Sequence, residues 1–75
     1  MLTYEILEDN EILATNIKKF RGELKESQFD FAENCGISVE VLSLIERGIA
    51  NPKLSTLQKL SAYLGCTVAE LFKRW

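Results

Sequence analysis

The chain has two cysteines and no histidine. Cys35 and Cys66 are 31 positions apart, and neither belongs to a C-x-x-C pair. A tetrahedral zinc site would need two further ligands of another kind. A nucleophilic serine, threonine or cysteine needs a base beside it, and the imidazole that most often serves is missing. No glycine-rich phosphate loop is present either. The two cysteines are therefore expected to be small buried apolar residues. No catalytic residue, metal or cofactor is expected, and the chain is not expected to be an enzyme. The side chains left to act are those that recognise rather than transform: amides, hydroxyls, and nine lysines and arginines against eleven acids.

The charge is unevenly placed. Glu5, Glu8, Asp9 and Glu11 give residues 1–15 a charge of −4, and residues 16–75 sum to +2. A net charge of −2 is low for a nucleic-acid binder, but the acid sits at one end of the chain. Folded over the basic remainder, that segment would compete with phosphate. At 75 residues the chain is one domain with a small core, which well-packed helices or a second subunit must support. Apolar runs are too short to span a bilayer, and residues 1–10 lack the pattern of a signal peptide. The protein is expected to be cytoplasmic, with no membrane association and no evident small-molecule ligand.

Helical periodicity supplies the elements that would position those side chains. Leu13, Ile17, Phe20 and Leu24 recur on one face and predict a helix over 11–24, with Asn10 as its N-cap. Ser27 with Asp30 resembles a capping box and opens a second helix, which Gly36 stops. Ser38 caps a third helix carrying Val41, Leu42 and Ile45, and Gly48 ends it. Asn51-Pro52 enforces an extended break. Leu54, Leu57, Leu60 and Leu64 form a fourth stripe closed by Gly65. Thr67 and Glu70 make a capping box before Val68, Leu71, Phe72 and Trp75, which predict a short fifth helix. Residues 1–10 mix apolar residues with β-formers and are expected to be an extended or disordered arm, or an edge strand. The expected organisation is an all-α five-helix bundle over 11–75. Leu54, Tyr63, Phe72 and Trp75 are candidates for a dimer face.

Two short helices joined by a glycine-containing turn form a helix-turn-helix. Ala32 is small where the helices cross, Gly36 turns the chain, and Ile37, Leu42 and Ile45 hold the angle. In these residues the sequence resembles the XRE-type helix-turn-helix family of phage repressors and Cro proteins. The resemblance runs from about Ile12 to Phe72. It is carried by Arg21, Ser27-Gln28, Phe31-Ala32, Gly36-Ile37-Ser38, Ile45-Glu46-Arg47-Gly48, Asn51-Pro52, Leu54, Leu57 and the tail from Leu64 to Phe72.

The resemblance implies a lambda repressor-like fold and a sequence-specific transcriptional regulator of the repressor or controller type. It further implies a homodimer on double-stranded DNA, with helix 3 (about 38–47) in the major groove. It places Ser38, Val39, Glu40, Ser43 and Leu44 toward the bases, and Gln28, Arg47, Asn51 and Lys53 toward the backbone. It also pairs Arg21 with Glu46 as a structural ion pair. Val39, Glu40 and Leu44 depart from the Gln, Arg, Asn or Lys usual at base-reading positions. Ile49 and Ala50 stand where relatives are often basic, so affinity is expected to be modest and strongly salt-dependent. The competing expectation is an interaction module that keeps the fold and presents Val39, Leu44 and Ile49 to a protein partner.

Overall fold

The computed structural model describes the backbone of residues 2–74 and the side chains of residues 8–74. It is all-helical: α1 (Leu2–Leu24), α2 (Gln28–Cys35), α3 (Val39–Glu46) and α4 (Leu54–Leu64), then one turn of 3₁₀ helix at Ala69–Phe72. The fifth helix is thus shorter and tighter than its sequence pattern suggests. Its capping box does close: Thr67 Oγ1 accepts from the Glu70 N–H at 3.1 Å, and Glu70 Oε1 accepts from the Thr67 N–H at 2.9 Å. The Thr67 N–H, joined by the Thr67 hydroxyl donating to the same Glu70 Oε1 at 3.2 Å, holds the Glu70 carboxyl below its usual range. Three residues later the backbone is already extended at Lys73. Trp75 lies outside the described residues.

The extended arm expected over residues 1–10 is corrected from Leu2 onward. Residues 2–10 are the opening turns of α1, so Asn10 is an interior helix residue and not a cap. No glycine or proline interrupts 2–21. At about 1.5 Å per residue the 23 residues of α1 rise roughly 34 Å. That nearly equals the molecule's longest dimension of 36 Å.

The other caps are local and follow from residue type. Ser27 Oγ accepts from the Asp30 N–H at 3.0 Å, and Ser38 Oγ accepts from the Val41 N–H at 3.1 Å. Gly36 turns the chain out of α2 at φ 86°, a left-handed conformation that side chains resist. Its N–H and that of Ile37 both return to the Ala32 carbonyl, at 2.9 and 3.0 Å.

Leu13, Ile17, Phe31, Leu42, Ile45, Leu60 and Leu71 are almost completely buried and come from every element. α1 is the hub, packing on α3 and on the 3₁₀ turn, while α2 packs on α3 and α4. Cys35 is buried and Cys66 packs half-buried on the core, and burial pushes both thiols up. Thiols so raised stay protonated and behave as small apolar side chains. Among the described residues no cluster of three metal-ligating side chains occurs. Nor is any described helix long and apolar enough to cross a membrane.

Asn16 is a buried polar residue on the apolar face of α1. Its amide donates to the Leu71 and Lys73 carbonyls, both at 2.8 Å, and ties the end of the chain to the first helix. Removing a buried partner leaves those carbonyls unsatisfied, at about 1–3 kcal/mol. Asn16→Ala is therefore expected to speed amide hydrogen exchange over residues 69–73 before it affects α2 and α3.

Candidate nucleic-acid interface

α2 and α3 meet across the Gly36 turn and leave one side of α3 facing out. Gln28, Val39, Glu40, Ser43, Leu44 and Arg47 line one open depression there of about 360 Å³. Six of the nine positions that the sequence marks for DNA contact are thereby brought together. Five of them, along α3 and its C-cap Arg47, fall at i, i+1, i+4, i+5 and i+8, a single helical face. Glu40 and Arg47 are exposed, Val39 and Ser43 are half-buried, and Leu44 is 39% exposed. Ser38, Asn51 and Lys53 are also exposed but lie outside the lining of the depression. Ser38 is the N-cap of α3, and Lys53 occupies the N-cap position of α4 without a side-chain bond to it.

The wall behind this face is held by charge. Glu46 is buried at the last turn of α3. Its carboxylate accepts from Arg21 Nε at 2.7 Å, from Arg21 Nη2 at 3.0 Å and from Gln28 Nε2 at 3.1 Å. The two-pronged arginine contact fixes distance and angle at once. It also raises the arginine pKa, so Arg21 stays charged. Arg21 Nη1 donates to the Glu26 carbonyl at 2.9 Å. One guanidinium therefore joins α1, the α1–α2 connection and α3. Gln28 is not simply a free phosphate contact, because its amide nitrogen is committed to Glu46. Sequence reasoning missed this link, which only the approach of α2 to the end of α3 creates.

The turn after α3 rests on α1. Gly48 takes φ 75°, and a Cβ there would stand 3.9 Å from the Asn10 carbonyl oxygen and 4.0 Å from the Ala14 Cβ. Ile49 follows, 59% exposed. A second polar cluster braces the α2–α4 side. The Tyr63 hydroxyl donates to Glu26 Oε1 at 2.7 Å, and Asn34 Nδ2 donates to Glu26 Oε2 at 2.6 Å. The bond to Glu26 pushes the Tyr63 hydroxyl pKa up.

Of the acids in the first turns described, Glu8 and Glu11 lie away from α3. Glu8 forms an ion pair with Arg74. Glu8 and Glu11 line a depression with Lys73 and Arg74, and neither lines the one beside α3. Of the dimer-face candidates, Leu54 is 62% exposed. Tyr63 and Phe72 are half-buried against the core instead, and the Tyr63 ring meets Phe31 edge-on at 5.4 Å between centroids.

Comparison with known proteins agrees with this geometry. The helix-turn-helix family model matches residues 17–71. An uncharacterized HTH-type transcriptional regulator of Rickettsia conorii is 37% identical over 73 residues, covering 87% of this chain and 67% of its own length. The HTH-type transcriptional regulator DdrOP3 of Deinococcus deserti is 39% identical over 61 residues, covering 81% of this chain and 47% of its own. The chain thus spans between about half and two thirds of these curated relatives. The crystal structure of the hypothetical transcription factor NHTF from Neisseria superposes with a TM-score of 0.79 at 32% identity, covering 87% of this chain and 75% of that one. With the family model matched from the middle of α1 to the 3₁₀ turn, the chain belongs to the XRE-type helix-turn-helix family.

Proposed function

We propose that this chain is a sequence-specific DNA-binding transcriptional regulator of the repressor or controller type. It lays α3 in the major groove and acts in the cytoplasm as a homodimer. The observation that carries this reading is the shared depression of Gln28, Val39, Glu40, Ser43, Leu44 and Arg47. The exposed Ser38 caps the start of α3 outside it, Arg47 lines it at the other end of the helix, and Asn51 and Lys53 are exposed in the connection that follows. An outward helix face reads base edges, and cations at its margins neutralise phosphates. Similarity to proteins named as transcriptional regulators supports the same reading. A homodimer follows from the family and the small core, and it would place two α3 helices about 34 Å apart.

The test is fluorescence anisotropy of the full chain on a labelled duplex from upstream of its own gene, beside an unrelated duplex, at two salt concentrations. Tighter binding to its own duplex is expected, with log affinity falling linearly in log salt. Arg47→Ala and Lys53→Ala are each expected to weaken binding to both duplexes and to reduce the salt slope by about one.

The exposure of Ile49 and Leu44 favours a second reading, in which the same side docks a protein. Failure to bind either duplex at low salt would select it.

A further inference from the structure

The outward face of α3 carries an uncommon set of groups for a helix that reads DNA. Glu40 is exposed in its first turn, and among the described residues no ion pair holds its carboxylate. Leu44 follows one turn later on the same face, and Val39 precedes it. Arg47 is the one cation lining the depression, and it sits at the opposite end of the helix from Glu40.

A carboxylate can only accept hydrogen bonds. In the major groove guanine presents two acceptors, which repel it. Cytosine presents an amino donor, which suits it. Branched apolar side chains have one partner in that groove, the C5-methyl of thymine. Cytosine methylated at C5 carries both features on adjacent ring carbons.

Resting on the placement of α3 in the major groove, we propose that Val39, Glu40 and Leu44 read a pyrimidine edge, an exocyclic amino group beside a C5-methyl. 5-Methylcytosine is then a better ligand than cytosine opposite Glu40, and at a base that only Val39 or Leu44 touches thymine is a better one than uracil. The chain senses methyl groups in the groove, and cytosine methylation of its site strengthens its hold.

The test begins with selection of the full chain on a duplex library with a random core, at about 50 mM salt to retain weak phosphate-driven binding. The enriched duplex is then remade unmodified, with deoxyuridine for thymine, and with 5-methylcytosine for cytosine. Burial of one methyl group corresponds to about a fourfold change in Kd. Deoxyuridine is expected to weaken binding by that factor per contacted base, and 5-methylcytosine to tighten it likewise. Glu40→Gln is expected to move the preferred base at one position from cytosine to adenine, because a carboxamide matches the adenine donor–acceptor pair. Its melting temperature should equal that of the parent, since Glu40 is exposed. Enrichment of guanine edges opposite Glu40, a Kd indifferent to the methyl groups, or weakening by 5-methylcytosine would each overturn the inference and leave the regulator reading standing. Enrichment of no sequence would overturn both.

Discussion

Glu46→Ala is expected to destabilise the domain by about 3 kcal/mol, seen as a fall of roughly 12–24 °C in melting temperature for a domain of this size. The Glu46 side chain is 4% exposed and accepts three hydrogen bonds, two from Arg21 and one from Gln28. Alanine would strand the Arg21 guanidinium with its Nη1 bond to the Glu26 carbonyl. The loss is placed at the low end of the range for a broken buried pair because a quarter of the Arg21 side chain still reaches water. The partner experiment removes both charges. Arg21→Met combined with Glu46→Leu is expected to recover most of the stability, because no unpaired charge remains. Thermal unfolding followed by circular dichroism measures both. A single variant as stable as the parent would mean that water replaces the carboxylate without penalty.

The second large effect lies in α2, where two phenylalanines two positions apart have opposite fates. Phe31 is fully buried against Tyr63, and Phe29 is 63% exposed. Phe31→Ala is expected to cost about 3–5 kcal/mol through lost burial and the cavity left behind. A chain of this length has only about 4–11 kcal/mol in total, so the variant should lose a large share of its stability. Phe29→Ala should stay within about 0.5 kcal/mol of the parent. Urea midpoints decide the matter, and equal midpoints for the two variants would contradict the burial pattern described above.

What the sequence reveals and what it hides divide along the range of the interaction. Ser27, Ser38, Gly36 and Gly65 act within four residues of themselves, so residue type alone marks both ends of α2, the start of α3 and the end of α4. The helix-turn-helix could be read for that reason. Residues 2–10 were harder, because Asn10 is a good cap by type and Tyr4 and Ile6 are β-formers by type. Helix continuity there depends on the chain being carried forward by the packed turns that follow. Asn16 did leave a signal, since it falls three after Leu13 and four before Phe20, on the apolar stripe itself. A polar residue at such a position asks for a buried partner, but the Leu71 and Lys73 carbonyls cannot be named from sequence. In the candidate interface, Gln28, Val39, Glu40, Ser43, Leu44 and Arg47 are close enough in sequence for one helix pair to gather them. The bond from Gln28 to Glu46 depends on tertiary approach and left no local trace.

The Asn16 clamp also bears on how the molecule is made. It joins positions 55 apart in the chain. At the pace of synthesis, Leu71 is added about 3–11 s after Asn16. Until then Leu13 and Ile17 lack the Leu71 side that will cover them. The core therefore closes only once the segment that carries Leu71 has been made.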